Sequence, residues 1–215
     1  MKVIITGVTG MVGEGVLLEC LENPAVSEIL IIGRKHYEKS HPKLKELLLK
    51  DFSEIGNYAE VWKGFDACFF CAGLSSVGEN EESFTKKTYD FVVPFATILS
   101  AVNQDMIFIY VSGNRTDSTE QGKVMWARVK GRTENALMKL PFKNVYNFRP
   151  AIMKATKGQN NVKTIYKILG PLLSPFFPAQ TLKLKEVGLA MIHAVSKGYP
   201  KQILEVSDIA ELAKF

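Results

Sequence analysis

The chain has 215 residues, of which 47% are apolar and 23% charged, so it is long enough to bury a core and has the composition of an ordinary globular protein. Its 27 lysine and arginine residues exceed its 22 aspartate and glutamate residues to give a net charge of +5, and the basic residues are scattered. This pattern is typical of a soluble surface or a polyanionic cofactor site and argues against a nucleic-acid-binding protein. No signal peptide precedes the first fold signals, which predicts a cytoplasmic protein.

Short apolar strand patterns alternate with helical patterns along the chain. The predicted strands lie at 2–6, 28–33, 66–73, 105–113, 143–150 and 203–206, with a further candidate at the end of the ambiguous segment 44–52. The predicted helices lie at 11–23, 53–65, 82–103, 120–140, 185–198 and 207–214. Such alternation is typical of βαβ units, whose right-handed crossovers give a doubly wound parallel sheet. We therefore predict a single α/β domain of the Rossmann type, residues 1–215, with a small C-terminal cap of helix and loop.

The first strand is followed by a glycine-rich turn, "ITGVTGMVGEGV" at residues 5–16. One glycine permits the tight bend, one lets the backbone approach a pyrophosphate, and one lets the helix pack on the strand. The next helix offers free N–H groups and a positive dipole end to the anion. Because the motif lies between a predicted strand and a predicted helix, it predicts a dinucleotide-binding site. The cofactor-binding candidates of this turn are Gly7, Thr9, Gly10, Met11, Val12 and Gly13.

The second predicted strand is followed by Arg34 and Lys35, where NAD-binding proteins carry an acidic residue for the ribose 2′-hydroxyl. A guanidinium binds a 2′-phosphate through two parallel hydrogen bonds, whereas a carboxylate would repel the phosphate. The sequence therefore predicts NADP in preference to NAD. The alternative is that Arg34 is a solvated loop charge.

Later segments complete the predicted adenosine and ribose contacts. These candidates follow the third and fourth strands and are Asp51, Phe52, Cys71, Ala72 and Gly73. The first two are placed to meet the adenine edge and face, and the small residues let a ribose lie close to the strand end. Cys68 and Cys71 also have C-x-x-C spacing, but they lie in a strand pattern, so we interpret them as structural and predict no metal site.

Together these residues resemble the short-chain dehydrogenase/reductase superfamily. The T-G-x-T-G-x-x-G spacing is similar to that of its extended and atypical branches, which include nucleoside-diphosphate-sugar epimerases. The segments "DFSEI", "DACFFCAGLSS", "YVSGN", "WARVKGRTEN" and "VYNFRPAIM" look closest to the atypical group related to the Tat-interacting oxidoreductase-like proteins. The resemblance is strong over residues 1–150 and loose beyond them.

The resemblance implies a catalytic serine after the fifth strand, then a tyrosine and a lysine spaced Y-x-x-x-K on the next helix. The serine corresponds to Ser112, within a residue or two, and the lysine to Lys130, which would hold the nicotinamide ribose hydroxyls. The tyrosine position is occupied by Trp126. Arg149 and Pro150 follow the sixth strand, where the family's backbone passes the nicotinamide.

Trp126 departs from the family pattern because indole donates a hydrogen bond but does not ionise near neutral pH. Three explanations stay open. The chain keeps the cofactor site without the redox chemistry, or another group supplies the proton, or Trp126 is a core residue in a different register. The candidates for another proton donor are Ser112, a water held by Lys130, Tyr89 and Tyr166.

The C-terminal segment 164–182 is apolar but is interrupted by glycine and proline, so it is too broken to span a bilayer. It is interpreted either as helix and loop packed over the sheet edge, or as part of a lid at 150–182 over a substrate pocket. The predicted function is an NADP-binding oxidoreductase or epimerase-like protein acting on an unidentified small molecule. The alternative is a non-catalytic NADP-binding regulator that contacts a protein partner or a second copy through its apolar C-terminal third.

Overall fold

The computed structural model describes residues 1–162 and 176–215. Its strands are β1 (Lys2–Thr6), β2 (Glu28–Gly33), β3 (Leu44–Leu48), β4 (Ala67–Phe70), β5 (Ile107–Val111), β6 (Asn144–Phe148), β7 (Ile152–Lys154), β8 (Thr181–Lys183) and β9 (Ile203–Leu204). A seven-stranded parallel sheet has the order β3-β2-β1-β4-β5-β6-β9. The order reverses between β1 and β4, and this reversal opens a crevice beyond their carboxyl ends.

Helices cover both faces of the sheet. They are α1 (Met11–Glu22), α2 (Ala59–Trp62), α3 (Glu81–Lys87), α4 (Tyr89–Val102), α5 (Met125–Leu137), α6 (Leu184–Ser196) and α7 (Val206–Leu212), with 3₁₀ turns at Phe52–Tyr58 and Pro178–Gln180. On one face, α1, α6 and α7 bury residues such as Leu17, Val187 and Ile209. On the other face, α4 and α5 bury Phe95 and Leu137. Burial on both faces explains the uninterrupted apolar strands and confirms the predicted doubly wound fold.

Some predicted elements differ in detail from the structure. The ambiguous segment 44–52 contains β3, and the predicted helix 53–65 is a 3₁₀ turn followed by the single turn of α2. The predicted helix 82–103 is two helices, α3 and α4, which break at Thr88, while Pro94 lies inside α4. The strong apolar periodicity located these helices, but it did not show where the backbone breaks.

Helix α5 begins at Met125, later than the predicted start of 120. The carboxylate of Asp117 accepts hydrogen bonds from the backbone N–H groups of Thr119 at 3.0 Å and Gly122 at 2.7 Å. An aspartate that binds the backbone in this way competes with helix formation, so the residues before Met125 form a loop.

The C-terminal part adds a small second sheet, in which β7 and β8 pair in parallel. Most of the apolar segment 164–182, and with it the centre of the predicted lid at 150–182, lies outside the described residues. Within the part of the chain that is described, no helix combines the length and apolar character needed to cross a membrane.

Candidate dinucleotide-binding site

The glycine-rich turn between β1 and α1 is shaped by backbone contacts that leave no space for side chains. Gly7 has a φ of +74°, and a Cβ there would lie 2.6 Å from the backbone nitrogen of Ala72. A Cβ on Gly13 would lie 2.3 Å from the carbonyl oxygen of Gly7. The turn, the end of β4 and the start of α1 therefore fit together only with glycine at these two positions.

This turn also presents hydrogen-bond donors to an anion. The N-cap residue Gly10 has no side chain that accepts from the helix, and no described residue accepts from the backbone N–H of Met11, Val12 or Gly13. Free N–H groups at a helix N-terminus, together with the helix dipole, bind phosphate groups. The turn thus fits the diphosphate of a dinucleotide.

Two adjoining clefts open on either side of the turn at the carboxyl edge of the sheet. The β2-side cleft, lined by Arg34 and Phe52, has a volume of about 720 Å³. The β5-side cleft, lined by Ser112 and Lys130, has a volume of about 630 Å³. Both include residues of the glycine turn and of the segment that follows β4. A crevice at this reversal of strand order is where folds of this kind bind dinucleotides.

The β5-side cleft holds the predicted serine and lysine, but in an arrangement that the sequence did not predict. The Lys130 ammonium donates a hydrogen bond to the backbone carbonyl of Ser112. The Ser112 hydroxyl donates to the carboxylate of Glu134 and lies 3.2 Å from the carbonyl oxygen of Phe148. Ser112 is buried, so its hydroxyl is committed to the protein interior.

Two titratable side chains line the described part of the β5-side cleft. Burial lowers the pKa of Lys130 to about 8, and the nearby Glu134 carboxylate opposes that shift. Burial raises the pKa of Cys71 to about 12. Among the described lining residues, Lys130 is therefore the group that changes its charge closest to neutral pH.

The lowered pKa of Lys130 predicts a pH-dependent contribution to stability. Between pH 8 and 10.5 the unfolded chain keeps the proton that the folded chain has released, so the free energy of unfolding contributed by this group rises with pH across that window. The Lys130→Met variant lacks this rise. Urea unfolding of both proteins at several pH values measures it, because shifts from other groups cancel in the difference; a difference that is constant from pH 8 to 10 contradicts the prediction.

Trp126 is the second residue of α5 and lies four positions before Lys130. It is partly buried, and it belongs to neither of the two core clusters formed by the described residues. Tyr89, an alternative proton donor, packs instead under the guanidinium of Arg132, 4.4 Å from its ring centroid. Tyr166 lies outside the described residues.

Most of the predicted cofactor-binding and catalytic residues line one cleft or both. These residues are Gly7, Thr9, Gly10, Met11, Val12, Arg34, Phe52, Cys71, Ala72, Gly73, Ser112, Lys130 and Pro150. Gly13 acts through packing against Gly7. Lys35, Asp51 and Trp126 do not line either cleft.

Arg149 also does not line the clefts, and its cofactor contact stays a prediction. Its guanidinium binds the Glu134 carboxylate with an Nη2–Oε2 distance of 2.5 Å and an Nε–Oε1 distance of 3.0 Å. It also contacts Glu205 at 3.1 Å and the Ser118 hydroxyl at 2.6 Å. Arg149 is buried, and its role is to join α5, β6 and the start of α7.

Several site residues were missed by the sequence reasoning. Glu134 has a detectable signal, since it follows Lys130 by one helical turn on the same face of α5. Glu14 follows the glycine turn directly and is fully buried. Asn160 and Asn161 line the β5-side cleft from a loop after β7, and no local pattern marks them.

The parallel sheet, the glycine turn and the paired clefts define a Rossmann-type dinucleotide-binding protein. The sequence model of the NAD dependent epimerase/dehydratase family matches residues 3–126, more than half of the chain. This chain belongs to that family.

Two curated proteins are similar to this chain over more than half of its length. Protein HTATIP2 of Rattus norvegicus is 25% identical over 162 residues, which cover 74% of this chain and 65% of that protein. Leucinostatins biosynthesis cluster protein T of Purpureocillium lilacinum is 27% identical over 145 residues, which cover 65% of this chain and 52% of that protein. The chain thus spans about half to two thirds of the length of the curated relatives it matches.

Solved structures show the same fold. The dTDP-glucose 4,6-dehydratase DesIV of Streptomyces venezuelae, a double mutant with NAD bound, has a TM-score of 0.70 at 16% identity, covering 96% of this chain and 75% of that one. A short-chain dehydrogenase/reductase of Saccharomyces cerevisiae has a TM-score of 0.67 at 15% identity, covering 100% and 98%. These structures confirm the predicted fold, and the match to the family model confirms the family resemblance.

Proposed function

We propose that this chain binds NADP(H) and transfers hydride between the cofactor and a carbonyl or alcohol group of a small substrate. The observation that carries the cofactor assignment is the exposed guanidinium of Arg34 in the β2-side cleft. In this arrangement the diphosphate lies at the glycine turn, the adenosine half occupies the β2-side cleft and the nicotinamide half occupies the β5-side cleft.

The charges of the β2-side cleft support NADP(H) over NAD(H). Its two lysines are already paired, Lys86 with Glu82 at 2.7 Å and Lys87 with Glu79 at 2.7 Å. No carboxylate of the described residues pairs with Arg34. An uncompensated guanidinium favours the 2′-phosphate, which it binds through two parallel hydrogen bonds, and gains much less from a ribose hydroxyl.

Replacing Arg34 with alanine is expected to weaken NADPH binding by about 10- to 100-fold, the usual effect of losing hydrogen bonds to a charged group. NADH affinity is expected to change by less than about twofold, because NADH has no 2′-phosphate. Isothermal titration calorimetry with both cofactors measures the two effects.

Lys45→Ala is the matched control for this variant. It removes one positive charge from β3, where Lys45 pairs with Glu28 at 3.0 Å. Lys45 lines neither cleft. It is expected to leave both affinities unchanged. Equal losses of NADPH and NADH affinity in Arg34→Ala would contradict the role of Arg34, and a wild-type protein that binds neither cofactor would contradict the proposal as a whole.

The β5-side cleft supports hydride chemistry with an altered proton donor. When bound, the nicotinamide exchanges hydride with the substrate, and the chain must orient the reactants and move a proton. Lys130 is held by the Ser112 carbonyl and titrates with a pKa of about 8, so it suits transfer of a proton directly or through water. Trp126 lies one helical turn before Lys130 on α5 and is not among the described residues that line this cleft.

A second candidate function is an NADP(H)-binding regulator without turnover. The observation that favours it is that no tyrosine is among the described residues lining the β5-side cleft, while the Ser112 hydroxyl donates to the Glu134 carboxylate. Such a regulator would contact its partner through the apolar C-terminal third, where Phe176 and Phe177 are exposed. The rate of cofactor oxidation in the Trp126 variants, argued in the Discussion, separates the two candidates.

A further inference from the structure

A buried carboxylate fastens a distant loop to the phosphate-binding turn. Glu14 lies in the first turn of α1 and has 0% exposure. Its carboxylate accepts the backbone N–H of Asn160 at 2.9 Å and that of Asn161 at 2.7 Å. A buried carboxylate without such donors would be strongly destabilising, so Glu14 and this loop depend on each other.

Further hydrogen bonds hold the same loop, residues 156–162, which we call the Glu14-anchored loop. The side chain of Gln159 donates to the carbonyl of Met11 at 2.7 Å and accepts from the Thr156 N–H at 2.6 Å. From the loop between β2 and β3, the Lys39 ammonium donates to the carbonyl of Gly158 at 2.8 Å. The loop is therefore tied to the start of α1 at several points.

The position of this loop relates it to one cleft only. Asn160, Asn161 and Val162 line the β5-side cleft, as do Ser112 and Lys130. None of the residues 156–162 lines the β2-side cleft. A change in the loop thus alters the space on one side of the glycine turn and leaves the other side intact.

We infer that Glu14 is a positioning residue, which holds the Glu14-anchored loop as the wall that orders the nicotinamide half of the dinucleotide. This inference rests on the proposed binding of NADP(H) across the two clefts. Glu14 acts through the loop backbone, since its carboxylate is fully buried and engaged by the N–H groups of Asn160 and Asn161. The adenosine half binds without its help.

The test compares the whole cofactor with one of its halves. The Glu14→Gln variant keeps the size of the side chain but offers one acceptor oxygen instead of two. It is expected to weaken NADPH binding by about 10-fold, the effect of losing a charge-assisted hydrogen bond. Its affinity for adenosine 2′,5′-bisphosphate, which has no nicotinamide half, is expected to change by less than about twofold. Calorimetry measures both ligands.

Glu19→Gln is the matched control, because Glu19 is a second buried carboxylate of α1, whereas the backbone hydrogen bonds of Asn160 and Asn161 go to Glu14. It is expected to change neither affinity. Trypsin should also cleave after the exposed Lys157 faster in Glu14→Gln than in Glu19→Gln, since the loop has lost its anchor.

Three results would overturn the inference. They are an unchanged NADPH affinity in Glu14→Gln, equal losses for NADPH and adenosine 2′,5′-bisphosphate, and a similar loss of NADPH affinity in Glu19→Gln. A wild-type protein that binds neither ligand would overturn the proposed function itself. Gln159→Ala decides the matter where Glu14→Gln does not fold. It removes the part-buried hydrogen bond from the loop to the Met11 carbonyl, and NADPH affinity equal to that of the wild type then refutes the positioning role.

Discussion

Replacing Trp126 with tyrosine is expected to raise the rate of NADPH oxidation by simple aldehydes and ketones about 100-fold or more. The new phenol would lie one helical turn before Lys130, whose ammonium lines the β5-side cleft. A neighbouring positive charge lowers the phenol pKa from about 10 and makes proton exchange easier near neutral pH. General acid catalysis of this kind contributes about 10²- to 10⁴-fold to a rate. The loss of NADPH absorbance under steady-state conditions measures it.

Trp126→Phe is the control for this gain. It keeps an aromatic ring at the same position of α5 but adds no hydroxyl, so its rate is expected to equal that of the wild type. The rate of the tyrosine variant is expected to fall when Lys130 is also replaced by methionine. Wild-type turnover as fast as that of Trp126→Tyr would show that a proton donor is already present, and it would exclude the regulator without turnover.

The fold was predictable wherever local sequence carries the signal. The bounds of β1 and β2 match the predicted strands, because a buried parallel strand is a continuous apolar run between turn residues. The pairing of β7 with β8 was not predictable. Each of these strands has 3 residues, too few for a periodic pattern, and their register joins Ile152 to Thr181 across a large separation in sequence.

The site residues also differ in how far along the sequence their partners lie. Gly7 and Gly13 were predictable because the turn excludes a side chain at their positions. Glu14 was missed, because its partners Asn160 and Asn161 are 146 and 147 residues away. The sequence placed Arg149 correctly at the end of β6, but it contains no information on which side the guanidinium leaves the backbone.

Replacing Glu134 with alanine is expected to lower the free energy of unfolding by about 3–5 kcal/mol, because it leaves the buried guanidinium of Arg149 without its main partner. The side chain of Glu134 has 0% exposure and that of Arg149 has 9%, so water cannot replace the lost carboxylate. The pair is bidentate, and Glu134 also accepts the Ser112 hydroxyl. Urea unfolding measures the change.

Two further variants distinguish a buried pair from an ordinary one. Glu205→Gln removes the second carboxylate from Arg149, but the side chain of Glu205 is 44% exposed, so the expected loss is below about 1 kcal/mol. The double variant Glu134→Met with Arg149→Met removes both charges and is expected to recover most of the stability lost in Glu134→Ala, since two apolar side chains carry no desolvation penalty. Equal losses in Glu134→Ala and Glu205→Gln would show that burial does not set the strength of this network, and that α5 is joined to β6 mainly by apolar packing.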